Sequence, residues 1–469
     1  MATSGAASQA LSFVVFIILA RMLDPAAYGL IALSMTVILV LIAGSRLGLE
    51  KLLVQLDSPD KIDTDTAFLC TVVLGTALAM LLWLTSPLIA DLVSTPELER
   101  VMQALAPVVA IKALEAVPLG LMIREGKYKA VALSTTLSLT AGGVAGIVMA
   151  LNGYGVWALI GQELVKAACS LITLMLAGGW KPGFSVSVRA GRRLLAASRH
   201  IMGAEMTRIA QNHADRLIIG SLLGATNLGT YTIAAKVNQA ASTILLDSLS
   251  RVGLPTLSRA RHNTERLRHV YYQSQRIGAA VTLPVFVLLL LTAPLVVPLL
   301  LGQQWQASVP ILQVLCVASC AGSLGVFNGP LLLAAGRPDI VFRLSIGSAV
   351  MGIAAGLVAI PWGIMAVALA FALRAWLILP LELALCARYC ALPSKPVWTA
   401  LPGQLLALTP MMLVVLGIQA LHLAWHPWSQ LLASVLLGLA AYLVALIVVD
   451  RPLVRILLTF PSIVLRRDG

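Results

Sequence analysis

Five basic residues interrupt stretches of sequence that are otherwise almost wholly apolar: Lys112, Lys166, Arg208, Lys236 and Arg374. If those stretches cross a membrane, each cation lies near the middle of its span, where an isolated charge is costly. Such a charge normally faces a water-filled cavity or a partner, and five at one level predict a shared polar cavity. Cationic groups there can replace the water around a phosphate and so bind an anionic substrate.

Internal neutralisation is the competing interpretation of these cations. Three of them have an acid three residues away, on the same face of a helix: Lys112 with Glu115, Lys166 with Glu163, and Arg208 with Glu205. Lys236 and Arg374 have no acid within four residues, which makes them the better candidates for contact with a substrate. For the three pairs, an ion-pair role and a substrate role both stay open.

A longer polar stripe surrounds one of these cations. Glu205, Arg208, Asn212 and Asp215 follow at steps of three, four and three residues, which places them on one face of a helix. Asp215 can carry a coupling proton if burial favours its neutral form, whereas a pair with Arg216 or a packing hydrogen bond is the alternative. The candidate substrate-binding residues are thus the five cations, and the candidate ion-coupling or cavity acids are Glu115, Glu163, Glu205 and Asp215.

The elements that must position these charges are membrane-spanning helices. Of the 469 residues, 59% are hydrophobic and only 11% are charged, against roughly 25% in a typical soluble domain. Apolar runs of about 20 residues recur along the chain, and in lipid such runs satisfy their backbone groups as helices. We therefore predict an all-α polytopic membrane protein and exclude a soluble enzyme. The predicted spans number about 14: 3–22, 26–48, 66–92, 100–123, 130–150, 154–177, 199–223, 227–252, 272–300, 308–335, 339–360, 363–387, 398–421 and 428–450.

The loops between these spans differ in charge. An even number of spans puts both termini on one side, and of the loop Lys and Arg residues only Arg21 and Arg100 fall on the other side. By the positive-inside rule the termini are cytoplasmic, in a bacterial inner membrane. The same basic loops, lying against anionic headgroups, account for most of the net charge of +13, so nucleic acid is not needed as a partner.

The first 200 residues resemble the next 200. Ile18, Leu23 and Gly29 recur at an offset of 200 as Ile218, Leu223 and Gly229, and Gly126 and Gly153 recur at an offset of 210 as Gly336 and Gly363. Such a repeat is typical of secondary transporters. We predict an N-terminal lobe of six helices with a cytoplasmic linker (1–198), a second six-helix lobe (199–390), and two appended helices with a cytoplasmic tail (391–469).

Short motifs open each predicted lobe. The first is the segment 19–25 (LARMLDP) followed by Tyr28 and Gly29, and the second is the segment 215–220 (DRLIIG) followed by Gly229 and Tyr231. With the count of spans, these motifs resemble the Wzx-type polysaccharide flippases of the multidrug/oligosaccharidyl-lipid/polysaccharide exporter superfamily.

The resemblance implies a function. It implies that the substrate is an undecaprenyl-pyrophosphate-linked oligosaccharide, carried to the periplasmic leaflet for O-antigen, capsule or exopolysaccharide biosynthesis. It also implies two lobes arranged as a V around a cavity that opens alternately to each side, with the appended helices forming a groove for the lipid tail. A polysaccharide polymerase and chain-length machinery are the partners expected downstream.

Other functions make different demands on the sequence. No P-loop is present, so an ion gradient or the substrate gradient is the expected energy source, and we expect no cofactor and no metal. An ion-coupled multidrug-type exporter of cations should line its cavity with unpaired acids, whereas here bases match or exceed acids. A membrane glycosyltransferase or polymerase generally needs a large external loop with catalytic side chains, and the loops predicted outside are short.

Overall fold

The computed structural model describes residues 2–56, 59–183, 185–390, 402–421 and 426–451, which form two compact units, Met1–Thr232 and Ile233–Gly469. Its regular elements over those residues are all helical, which confirms the predicted all-α fold class. The helices of unit 1 are α1 (Ala2–Met22), α2 (Pro25–Arg46), α3 (Leu49–Gln55), α4 (Lys61–Leu92), α5 (Glu97–Leu114), α6 (Ala116–Arg124), α7 (Tyr128–Leu151), α8 (Val156–Gly178), α9 (Val188–Leu223) and the first turns of α10 (Ala225–Ser242).

Unit 2 begins within α10, which continues through a π-helical turn, Thr243–Asp247. Its other helices are α11 (Ser248–Ala260), α12 (Thr264–Leu301), α13 (Ser308–Gly325), α14 (Asn328–Ala334), α15 (Pro338–Ala359), α16 (Gly363–Tyr389), α17 (Pro402–Ala420) and α18 (Pro427–Val449). The division of the chain at 198 and 390, which follows the sequence repeat, stays a prediction.

Helices long and apolar enough to cross a membrane recur through both units. Ten such stretches occur among the described residues, and large apolar side chains such as Leu92 and Leu176 are fully exposed, as suits a surface that faces lipid. The protein is therefore a polytopic membrane protein. The count of 14 stays a prediction, and the predicted start of the thirteenth span, at 398, lies outside the described residues.

Two predicted spans are each broken into a long and a short helix. The span 100–123 becomes α5 and α6, with the break at Glu115, and the span 308–335 becomes α13 and α14, with the break at 326–327. Apolar runs do not report such breaks, but a proline lies just after each of these two. Pro118 and Pro330 are each the third residue of the short helix, and each lacks the N–H that would bond the carbonyl group four residues earlier.

The two glycines that the sequence repeat equates lie at a close helix approach in unit 1. A Cβ atom on Gly29 would overlap the carbonyl oxygen of Ala225, and a Cβ atom on Gly229 would overlap that of Pro25. The starts of α2 and α10 thus approach each other reciprocally, and only glycine permits backbones to come so close.

The appended helices pack on α12. The Tyr442 hydroxyl of α18 donates a hydrogen bond to the Ala280 carbonyl at 2.9 Å. Asp450, which follows α18, accepts from Arg276 of α12 at 2.5 Å and from Gln404 of α17 at 3.1 Å. Because Asp450 and Gln404 are buried, this charged group needs those partners and joins three helices of unit 2.

Candidate functional site

Four charged residues of unit 1 meet where α5 breaks. Glu115, only 2% exposed, accepts hydrogen bonds from Lys112 Nζ at 2.7 and 2.9 Å, one to each carboxylate oxygen. Arg46 Nη2 lies 3.3 Å from Glu115 Oε2, and Arg46 Nη1 lies 2.8 Å from Glu50 Oε2. We call these four residues, Arg46, Glu50, Lys112 and Glu115, the α5 break cluster.

The local backbone explains why the charges gather at this point. Pro118 has no N–H for the carbonyl group of Leu114, and the break at Glu115 opens carbonyl groups at the end of α5 to other donors. Arg46 Nε donates to the Lys112 carbonyl oxygen at 3.0 Å, as a cation at a helix C-terminus is expected to do. Gly48, at a φ of +69°, turns the chain sharply after α2 and so starts α3, which carries Glu50.

A second ion pair lies on α8. Lys166 Nζ is 2.5 Å from Glu163, which confirms the predicted spacing of three residues as an ion pair. Lys166 is near enough to Lys112 for the two positive charges to repel each other. The two ammonium groups therefore belong to the same charged region of unit 1, and each has its own carboxylate.

The charges of α9 form a separate cluster. Glu205 accepts from Arg208 Nε at 3.2 Å and from Lys51 Nζ of α3 at 2.7 Å. Arg208 and Lys51 are exposed, so this cluster is more accessible than the α5 break cluster.

Asp215 lies farther along α9. Its Oδ2 accepts a hydrogen bond from the Tyr231 hydroxyl at 2.8 Å, and its Oδ1 is buried without a hydrogen bond from the described part of the chain. No ion pair joins Asp215 to Arg216 in that same part. The side chain of Asn212, the other member of the stripe, is outside the described set.

The two cations without a nearby acid in sequence belong to unit 2. Lys236 is exposed on α10. Arg374 is half-buried, donates from Nη1 to the Ser348 carbonyl at 3.3 Å and lies 5.7 Å from the ring centre of Phe371. A single cavity shared by all five cations therefore stays a prediction.

The sequence pattern missed three members of these two clusters: Arg46 and Glu50 of the α5 break cluster, and Lys51 of the α9 cluster. They lie at the junction of α2 and α3, where the sequence predicts the end of a span and the loop after it. Arg46 and Glu50 do have the spacing of four residues that pairs charges on a helix, a signal that points to them. Across the described residues, no cluster of His, Cys, Asp and Glu has the composition of a metal site.

Together, the α5 break cluster, the ion pair of α8 and the α9 cluster contain more cations than carboxylates. Glu115 is shared between Lys112 and Arg46, and Glu205 between Lys51 and Arg208. A cation that shares its carboxylate keeps unused N–H donors, and these can bind a phosphate or another anion.

Two curated relatives of this chain are named for the biosynthesis of bacterial polysaccharides. The ExoT succinoglycan biosynthesis transport protein of Rhizobium meliloti (strain 1021) is 25% identical over 311 residues, which are 66% of this chain and 62% of ExoT. The lipopolysaccharide biosynthesis protein WzxC of Escherichia coli (strain K12) is 25% identical over 359 residues, 73% of this chain and 72% of WzxC. The match thus spans a little under two thirds of the length of ExoT.

Solved structures show the same fold. The lipid II flippase MurJ in its inward closed conformation matches with a TM-score of 0.79 at 14% identity, over 97% of this chain and 99% of MurJ. An inward-facing multidrug resistance MATE family transporter matches with a TM-score of 0.66 at 17% identity, over 82% of this chain and 94% of the transporter. These likenesses agree with the predicted all-α fold.

A match to a family profile identifies the family of this chain. Residues 18–310, more than half of the chain, match the sequence profile of the family described as polysaccharide biosynthesis protein. That match agrees with the resemblance that the motifs of the two predicted lobes indicate. The chain belongs to this polysaccharide biosynthesis protein family.

Proposed function

We propose that this protein carries an undecaprenyl-pyrophosphate-linked oligosaccharide from the cytoplasmic to the periplasmic leaflet of a bacterial inner membrane. One observation carries the proposal: Lys112 and Arg46 share the single buried carboxylate of Glu115 within apolar helices of a chain of this family. A diphosphate entering the membrane loses its water, and cationic donors offset that cost.

The carboxylates take the place of the substrate when none is bound. Glu115 and Glu163 hold Lys112 and Lys166 ready, and the phosphates of an incoming lipid-linked glycan compete for the same N–H groups. Lys236, Arg208 and Arg374 complete the proposed set of substrate contacts during alternating access. The carrier binds and releases its substrate without covalent chemistry, so it is not an enzyme.

The proposed orientation in the membrane and the proposed partners follow from the proposed substrate. Both termini face the cytoplasm, where the lipid-linked unit is assembled, and the product leaves in the periplasmic leaflet for O-antigen, capsule or exopolysaccharide synthesis. A polysaccharide polymerase and chain-length machinery would use that product. Asp215 remains a proposed coupling group for a proton.

An exporter of organic cations is supported less well. Such a carrier needs carboxylates that are free to bind its substrate, but Glu115, Glu163 and Glu205 each bind a cation of this chain. The charge balance of unit 1 therefore favours an anionic substrate.

The test is transport of a labelled lipid-linked glycan by purified protein in proteoliposomes. We expect Lys112→Gln to lower transport about tenfold or more, since each lost charge-assisted hydrogen bond is worth about 1.4 kcal/mol or more. Lys129→Gln, an exposed lysine outside the cluster, serves as the matched control and should transport like the original protein.

A double variant separates binding of substrate from neutralisation of Glu115. Lys112→Gln combined with Glu115→Gln removes both charges of the pair. If Lys112 binds the substrate, the double variant stays inactive. If it regains normal transport, Lys112 serves only to neutralise Glu115, and the proposed role in substrate binding is wrong.

A further inference from the structure

A carboxyl group without a role in the proposed transport function lies at the helix break of unit 2. Between α13 and α14, the side chain of Glu382 from α16 reaches the broken segment. A Cβ atom on Gly325 would lie 3.1 Å from Glu382 Oε2, so glycine at the end of α13 leaves room for the carboxyl group. Glu382 lies seven residues before the end of α16 at Tyr389, about 10 Å along the helix.

Neutral side chains hold this carboxyl group. Asn328 Nδ2 donates to Glu382 Oε2 at 3.0 Å, and the Tyr271 hydroxyl donates to Asn328 Oδ1 at 2.7 Å. The tyrosine thereby fixes the amide so that its NH₂ group points at the carboxyl group. Cys386 Sγ, 3.8 Å from the Asn328 carbonyl oxygen, packs against the same residue.

No cation takes part in this cluster within the described residues: the ion pairs found there do not include Glu382. From 321 to 334, the end of α13 and all of α14 carry no titratable side chain. The first charged groups beyond α14 are Arg337 and Asp339, which bind each other. The titratable groups that interact electrostatically with Glu382 are Tyr271 and Cys386, and the cations Arg268 and Arg337 act on the neighbouring Tyr272 and Cys390.

The cluster also contains an acceptor without a donor. Gln275, 1% exposed, donates from Nε2 to the Leu324 carbonyl, but its own Oε1 accepts no hydrogen bond from the described chain. A buried acceptor left in this state costs free energy. The residues around the break thus lack one donor, and a proton on Glu382 would add an O–H group to them.

We propose that Glu382 is a proton-binding site, whose carboxylate takes a proton from water to form an O–H bond and later releases it. A carboxylate without a cation at this depth is costly, so the group neutralises by binding a proton. Glu382 is only partly buried, so water can reach it. Proton binding changes the hydrogen bonds that connect α12, α14 and α16, and so couples protonation to the position of the broken helix.

A proton suits the cluster better than a sodium ion. Sodium needs several free oxygen ligands, including backbone carbonyls at a helix break. Here Asn328 Oδ1 and the Leu324 carbonyl oxygen already accept hydrogen bonds from Tyr271 and Gln275. A cation would have to share these oxygens with their present donors, whereas a proton adds a donor to the set.

Infrared spectroscopy of the purified protein tests this site without any substrate. The carbonyl stretch of a protonated carboxyl group is distinct from that of a carboxylate, so the band that disappears in Glu382→Gln reports Glu382. We expect this band to appear in the original protein as the pH falls, to be lost in Glu382→Gln, and to persist in Glu265→Gln, the matched control at an exposed carboxyl group of α12.

Two further variants keep the test decisive if Glu382→Gln folds poorly. Glu382→Asp should retain the band at a shifted frequency, and Asn328→Ala, which removes the hydrogen-bond donor, should shift its titration midpoint. A band that is unchanged in all three variants contradicts the proposal. A band that responds to sodium at constant pH also contradicts it and indicates a cation site instead.

A transport assay then shows whether proton binding at Glu382 couples transport to a pH gradient. A pH gradient should stimulate transport of lipid-linked glycan by the original protein, and Glu382→Gln should lose the stimulation while still equilibrating the glycan. Stimulation that survives in Glu382→Gln but is lost in Asp215→Asn would assign coupling to Asp215. Because the infrared titration needs no glycan, failure of the proposed substrate and failure of the proton site are distinguishable.

Discussion

The two units break corresponding helices by the same means but fill the breaks with different chemistry. In each unit a proline, Pro118 or Pro330, is the third residue of the short helix and removes one N–H from the helical ladder. At the first break the acid is Glu115, and its partners are cations. At the second break the acid is Glu382, and its partner is the amide of Asn328.

The difference shows how one backbone feature can serve two purposes. A helix break opens a polar space inside an apolar unit, and the side chains nearby decide what it holds. Cations around a shared carboxylate suit exchange with an anionic substrate. Neutral donors around a carboxyl group suit uptake and release of a proton. The following predictions test that contrast.

The largest effect is expected at Glu115. Glu115→Gln leaves Lys112 and Arg46 without their buried carboxylate, and loss of one partner from a buried ion pair costs about 3 kcal/mol or more. Glu382→Gln should cost much less, because no cation depends on that carboxylate. The measurement is thermal unfolding of both variants in the same detergent. An equal loss of stability in the two variants would remove the proposed contrast between the breaks.

An intermediate effect is expected at Tyr271. Tyr271→Phe removes the hydroxyl that donates to Asn328 and leaves a buried amide oxygen unsatisfied, at a cost of about 1–3 kcal/mol. The same thermal unfolding assay measures the loss. The variant should also shift the infrared titration of Glu382, because Asn328 is no longer fixed. A stable Tyr271→Phe protein with an unshifted titration would show that the hydroxyl does not position the amide.

The smallest effect is expected at the exposed α9 cluster. Lys51→Ala removes an exposed ion-pair partner of Glu205, which retains Arg208, and such pairs contribute about 0.2–1 kcal/mol. Added salt should reduce even this difference. The unfolding temperature at low and high salt measures both effects. A loss as large as that of Glu115→Gln would mean that burial does not separate the two clusters.

Local patterns predicted the ion pairs that form within single helices. Ion pairs three residues apart, such as Lys112 with Glu115, follow from helix geometry alone, because residues at that spacing share a face. The pairs that join different helices did not follow from it. Arg46 reaches Glu115 across 69 residues of sequence, and Lys51 reaches Glu205 across 154. Sequence spacing carries no information about such contacts.

The sequence by itself determined the class of this protein. The low fraction of charged residues and the recurrent apolar runs require lipid as solvent and helices as elements, since both follow from composition and length. The two helix breaks did not follow from the sequence, because Pro118 and Pro330 lie at breaks whereas Pro107 and Pro284 lie inside unbroken helices. Only the tertiary structure decided what surrounds each break. Burial and the partners of a carboxyl group depend on how distant helices pack, and that packing separates the ion-paired Glu115 from the amide-bound Glu382.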